Sequence, residues 1–199
     1  MSVEQAGAAT AEWSDSDATR ALSAKAFARV AQYIRAELGI RMPDTKRTMV
    51  QSRLLRRVRS LGLESVEQYC EQFLANGNGS EREFFINAIT TNKTDFFREP
   101  EHFQYLTSKV LPALGRQATG GPSRFKVWSA GCSTGEEPYT LAMVLAEWAA
   151  EHPEFDFVVL GTDVSTRVLG KAREGIYSPE QVEPVPVEMR RKYLGMSRN

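Results

Sequence analysis

From Phe27 onward, apolar residues recur at helical spacing. Phe27, Val30, Ile34 and Leu38 fall on one side of a 3.6-residue wheel, and Gly39 follows as a C-cap residue. Pro43 marks a turn. The next run, Lys46 to Leu61, sets Val50, Leu54, Val58 and Leu61 on one face. Lys46, Arg53, Arg56 and Arg57 fall on the opposite face, and Gly62 is the stop. Ser65 and Gln68 have the spacing of a capping box for a helix through Tyr69 and Phe73. Asn76 to Gly79 reads as a loop, and Glu81 to Ile89 begins another helix. Thr90 to Arg98, polar and aromatic, is a connector. Helical spacing resumes with Phe103, Leu106, Val110 and Leu114, then breaks at Gly120-Gly121-Pro122-Ser123.

After that break the period changes. Phe125 to Trp128 is a short strand with Trp128 in its core, and Ser129 to Gly135 is a loop of small residues. Glu136 to Ala150 reads as a helix packing Tyr139, Ala142, Met143 and Ala146 inward. Phe157 to Leu160 is a second apolar strand ending at Asp163, and Val164 to Arg173 a second helix. Strand, tight loop, helix, strand and helix open a parallel α/β sheet. The expected fold class is therefore α/β, with a small all-helical domain over residues 19–90 and a sheet-bearing domain over residues 100–199. Residues 1–18, low in large apolar groups, read as a disordered leader.

The first strand ends in a candidate binding loop, within Lys126 to Thr140. Ala130, Gly131, Ser133 and Gly135 let the backbone pass close to a ligand, beside the free N–H groups of a helix start. Open α/β sheets bind ligands in that crevice. Asp163, ending the next strand, is spaced to accept hydrogen bonds from ribose hydroxyls. A phosphate-binding loop needs Lys and Ser or Thr after its second glycine, whereas Glu136 and Glu137 follow Gly135 here. Their carboxylates repel a triphosphate and suit a cation, such as the amino group of S-adenosylmethionine. The plainer reading makes them favourable charges at a helix start.

Composition narrows the classes. Hydrophobic residues are 42% and charged residues 25%, with 25 basic and 25 acidic side chains, so no global charge argues for nucleic acid or lipid. Locally, Arg41 to Arg59 holds seven basic residues against Asp44 alone, which suits a negatively charged partner as well as a solvated face. Cys70 and Cys132 give neither a disulfide framework nor metal-ligand spacing, which fits a reducing cytoplasm. No signal peptide and no membrane-spanning run is visible.

Three runs carry a more specific resemblance: WSAGCSTGEEPYTLAM, ITTNKTDFFREPEHF and GTDVSTRVLGKAREGIY. With KRTMVQSRLLRRVRSLG, they resemble the CheR family, over about Lys25 to Leu194. That resemblance implies a Rossmann-like S-adenosylmethionine methyltransferase domain behind the helical one. It implies methyl transfer to glutamate side chains of methyl-accepting chemotaxis receptors, leaving S-adenosyl-L-homocysteine. Carried over by motif, Asn92, Thr94 and Arg98 of the 91–99 connector line the cofactor pocket, with turn chemistry the bland alternative for the first two. Glu136 or Glu137 holds the methionine amino group, Asp163 the ribose, and Ala130 and Gly131 flank the donor. The family continues past Asn199 with further strands, so the α/β domain is expected to be incomplete at its C-terminus.

The resemblance also favours a partner role for the basic helix, with Arg53, Arg56, Arg57 and Arg59 meeting the cytoplasmic helical domain of a receptor. A glutamate carboxylate is already ionised near neutrality, so no Ser–His pair or metal is expected. Arg98 is the candidate catalytic side chain, orienting the attacking carboxylate or the donor's carboxylate, with a salt bridge to Glu101 as the alternative. A non-catalytic module that binds receptor or donor is the second functional class. Neither nucleic-acid binding nor membrane insertion is expected.

Overall fold

The structure is a computed structural model and describes residues 22–76, 79–117 and 124–195. The leader at residues 1–18 and part of the Asn76–Gly79 loop lie outside the described residues. The chain divides into two compact units between Ile89 and Thr90. No described helix is long and apolar enough to cross a membrane.

The first unit packs α1 (Ala24–Leu38), α2 (Arg47–Ser60), α3 (Val66–Asn76) and α4 (Ser80–Ile89) around one core. Ser23 Oγ caps α1 by accepting from the Ala26 N–H at 3.2 Å, and Gly39 ends it at φ 68° with its N–H on the Arg35 carbonyl. Ala26, Phe27, Val30 and Ile34 form its buried stripe. On α2 the stripe is Val50, Gln51, Leu54 and Val58. Leu61 was expected to complete it and does not: it falls past the last helical residue and is 43% exposed. Gly62 turns the chain at φ 66°, and Leu63 packs on the core instead. Ser65 Oγ accepts from the Gln68 N–H at 3.1 Å, while Gln68 Oε1 reaches one residue further back, to the Glu64 N–H at 2.9 Å. Phe73 stacks on Phe85 at 4.2 Å, with Tyr33 edge-on to Phe73 at 5.1 Å.

Cys70 is fully buried in this core. Burial pushes its thiol up from an ordinary 9.0 to about 12, with Glu67 and Glu71 adding to the shift. A folded-state pKa above the unfolded one favours folding below the unfolded value. That stability is lost as pH rises towards the folded value. The first unit should therefore weaken progressively between about pH 9 and pH 12. A Cys70→Ala chain, followed by circular dichroism in urea, should show a shallower decline over that range.

The second unit runs α5 (Pro100–Tyr105), a π-turn (Leu106–Val110), α6 (Leu111–Gln117), β1 (Phe125–Ala130), α7 (Glu136–Glu151), β2 (Phe157–Thr162), α8 (Thr166–Glu174) and α9 (Val187–Tyr193). The sheet is parallel as expected, with β1 and β2 in register from Phe125 opposite Phe157 to Ala130 opposite Thr162. Phe96, Met143 and Val185 form its buried centre, against Tyr177, Val182 and Met189.

Three positions expected in the core, Leu114, Tyr139 and Trp128, are exposed instead. The π-turn has a wider repeat, so Phe103 and Leu111 are buried while Leu114 is 40% exposed. Thr107 Oγ1 donates to the Phe103 carbonyl at 3.1 Å within that stretch. Tyr139 is 39% exposed, because α7 turns Thr140, Met143, Val144 and Leu145 inward. Trp128 is 68% exposed opposite Leu160 at 59%, on the sheet face left open among the described residues. Its Nε1 donates across the strands to Thr162 Oγ1 at 2.9 Å.

Candidate functional site at the end of the first strand

The loop from β1 to α7 is built from both its neighbours. The N–H groups of Gly131 and Cys132 both donate to the Thr162 carbonyl, at 2.8 and 2.9 Å. Gly131 at φ 77°, Ser133 at φ 51° and Gly135 at φ 101° make the bend. Asp163 Oδ2 accepts from the Ser133 N–H at 2.9 Å and Oδ1 from the Ser165 N–H at 2.8 Å. One carboxylate therefore fastens two loops. From behind, the Tyr177 hydroxyl donates to the Thr134 carbonyl at 2.7 Å, and burial pushes its phenol well above the usual tyrosine range.

The two loop acids separate. Glu136 is 3% exposed; it accepts from Thr134 Oγ1 at 2.6 Å and from Gln181 Nε2 at 3.5 Å. Glu137 is exposed, and its Oε1 accepts from Ser129 Oγ at 2.6 Å. Adjacent residues of a helix point about 100° apart, and only one of these two lines the cavity between the loop and the connector. Glu137 is that one.

The connector closes the other wall. Ser133 Oγ donates to the Asn92 carbonyl at 2.9 Å, and the Phe97 N–H donates to Thr140 Oγ1 at 3.2 Å. Thr140 is fully buried and donates onward to the Glu136 carbonyl at 2.7 Å. Phe97 and Glu99 both have positive φ, at 54° and 56°, and hold Arg98 between them. Arg98 Nη1 donates to the Lys93 carbonyl at 2.9 Å rather than forming the alternative bridge to Glu101.

A cavity of about 430 Å³ lies between these walls. Thr94, Arg98, Gly131 and Glu137 line it together, with Lys93, Asp95, Trp128 and Leu141 among the remaining lining residues. Of the other expected cofactor residues, Asn92 contributes its carbonyl to the loop and its Nδ2 to Thr90 Oγ1 at 3.5 Å. Ala130 is exposed at the strand end, and Glu136 is buried beneath the loop. Asp163 lines a different cavity, of about 650 Å³, with Cys132, Gly161 and Leu169. Ser129 and Thr140 escaped the sequence reading. A hydroxyl residue inside a helix, four positions after Glu136, was the available signal for Thr140; Ser129 gave none.

In the helical unit, the four arginines of α2 also divide. Arg53 Nη1 donates to the Ile89 carbonyl at 2.9 Å, at the C-terminus of α4. Arg57 forms a two-pronged pair with Glu81, which also accepts from the Tyr69 hydroxyl at 2.6 Å, and lies 4.6 Å over the Phe84 ring. Those hydrogen bonds raise Arg57 and hold Glu81 below the usual carboxylate range. Arg56 and Arg59 are exposed.

An all-helical unit is thus followed by a parallel β–α–β–α unit whose loop carries carboxylates where a phosphate loop has lysine. The family matches give that pair its class: an S-adenosylmethionine-binding methyltransferase domain with a helical companion. The profile described as "CheR methyltransferase, SAM binding domain" matches residues 92–199, and "CheR methyltransferase, all-alpha domain" matches residues 25–90. The chain belongs to the CheR methyltransferase family. It is 41% identical over 174 residues to a chemotaxis protein methyltransferase of Salmonella typhimurium, covering 87% of this chain and 57% of that protein. The same identity and length hold for the Escherichia coli protein, over 87% of this chain and 58% of that one. A Borreliella burgdorferi relative of the same description is 38% identical over 172 residues, 84% of this chain and 60% of its own. The chain thus spans somewhat under two thirds of these relatives' length.

Proposed function

We propose that the chain binds S-adenosylmethionine in the 430 Å³ cavity and serves the transfer of its methyl group to glutamate side chains of chemotaxis receptors. The observation that carries this reading is that Glu137, fixed by Ser129, and the Arg98 guanidinium line the same cavity beside Gly131, with Asp95, Glu99 and Lys93 the other charged residues of its lining. Glu137 and Arg98 complement the ammonium and carboxylate of an amino acid. Gly131 adds open space: a Cβ built there meets nothing within 4 Å. When bound, the donor supplies a methyl carbon activated by its sulfonium.

The residues then divide the work. Glu137 accepts from the α-ammonium. Arg98 gives one N–H to the Lys93 carbonyl and has others for a carboxylate, the donor's or the substrate's. Asp163 lines the other cavity, so its part in this site is to brace the loop through Ser133 and Ser165. The attacking glutamate, with an ordinary pKa of about 4.3, needs no base. Alignment and exclusion of water remain, worth up to roughly 7–11 kcal/mol in well-oriented reactions.

On α2, Arg56 and Arg59 are the side chains proposed to meet an acidic receptor helix, with Arg53 and Arg57 shaping the helix that presents them. Arg57→Ala is expected to lower the stability of the first unit by about 1–3 kcal/mol, because the Glu81 carboxylate loses its guanidinium and keeps only the Tyr69 hydroxyl as a donor. Arg56→Glu with Arg59→Glu should leave the melting temperature unchanged and weaken receptor-fragment binding at low salt. Denaturation and binding measured side by side separate the two pairs.

Incubating the chain with methyl-labelled donor and a receptor cytoplasmic fragment tests the function itself. Alkali-labile label on receptor glutamates is the expected outcome. Lack of both label and binding of S-adenosylhomocysteine would overturn the proposal.

A further inference from the structure

We propose that Ser129 is a positioning residue for donor recognition, holding the Glu137 carboxylate on the cavity wall so that it selects ligands bearing an α-ammonium. This rests on the reading of Glu137 given above.

Ser129 sits one residue before the end of β1, opposite Gly161, and is 1% exposed. A hydroxyl has a single proton, and that of Ser129 goes to Glu137 Oε1 at 2.6 Å. Glu137 itself is an exposed residue in the first turn of α7. Left alone, such a side chain samples several rotamers, and its carboxylate is drawn to the N–H groups at its own helix start. The bond to a rigid, buried strand residue removes that freedom and fixes Oε1, leaving Oε2 to meet a ligand. Order imposed before binding need not be supplied by the ligand. Ser129 is absent from the cavity lining, so it acts through Glu137 and not by touch.

Calorimetric titration compares two ligands: S-adenosylhomocysteine, and 5′-methylthioadenosine, which lacks the amino-acid end. Ser129→Ala is expected to weaken S-adenosylhomocysteine roughly five- to tenfold and leave methylthioadenosine unchanged, the loss of one hydrogen bond to a charged group. Ser129→Thr, which keeps the hydroxyl, should restore the difference. In a Glu137→Gln background, Ser129→Ala should cost no more than about twofold further, because the group it positions is already altered. Ser129→Cys, nearly the same size and a weaker donor, gives the same reading if the alanine variant fails to fold. Equal weakening of both ligands, or a full additional loss in the Glu137→Gln background, would overturn the inference while the cavity assignment stands. Undiminished S-adenosylhomocysteine affinity in Glu137→Gln alone would overturn the cavity assignment, and this inference with it.

Discussion

Glu137→Gln should weaken S-adenosylhomocysteine binding by roughly 10- to 100-fold, the range for losing a charge-assisted hydrogen bond. Glutamine keeps the size of the side chain and still accepts from Ser129 Oγ, so the strand contact survives and only the charge facing the cavity disappears. The neighbouring substitution provides the contrast. Glu136 is buried under Thr134 and Gln181, and is not among the residues lining the cavity. Glu136→Gln should leave ligand affinity within about threefold, its effect falling instead on the thermal stability of the second unit. Calorimetry and thermal melts on the two variants decide it. If Glu136→Gln removes binding and Glu137→Gln does not, the roles of the two carboxylates are reversed.

The second large effect is structural. Gly135 closes the loop at φ 101°, a region side chains rarely enter. A Cβ there would lie 2.7 Å from the Tyr177 hydroxyl and 3.1 Å from the Ala172 backbone. The tyrosine cannot swing away freely, since its hydroxyl donates to the Thr134 carbonyl. Gly135→Ala therefore combines backbone strain with overpacking, together about 2–5 kcal/mol. Marginal stability of the usual size makes that enough to unfold much of the second unit. The expected result is a large drop in the urea midpoint of the second unit, with the helical core around Phe73 and Phe85 little changed. Gly131→Ala, at φ 77° but in open space, should cost only the strain.

What the sequence made legible was whatever depends on neighbours in the chain. Gly39 and Gly62 as helix stops, Ser65 as a cap, the shift to strand at Phe125 and the parallel β–α–β order all rest on local spacing. What failed depended on partners far along the chain. Alternation put Trp128 in a strand, but whether its face is covered is a matter of other elements. Leu61 fits the α2 stripe on a wheel, yet the helix ends before reaching it. The repeat of Phe103, Leu106, Val110 and Leu114 assumed a regular helix that the π-turn interrupts. Arg53 and Arg57 looked like their neighbours Arg56 and Arg59 until Ile89 and Glu81, 36 and 24 residues away, claimed them. Around the cavity, Thr94, Arg98 and Gly131 come together as their motifs suggested they would lie, whereas which of Glu136 and Glu137 lines it depends on the direction of one helix. The expected meeting of Asp163 with the loop acid around one hollow is not seen; its carboxylate braces the loop from which Gly131 lines the hollow.

The cavity assignment is tested most directly by a crystal structure of the chain with S-adenosylhomocysteine bound. The ligand's ammonium is expected at hydrogen-bond distance, about 3 Å, from the Glu137 carboxylate, with its carboxylate end towards Arg98. An amino-acid end lodged instead beside Asp163, Cys132 and Leu169 would contradict it.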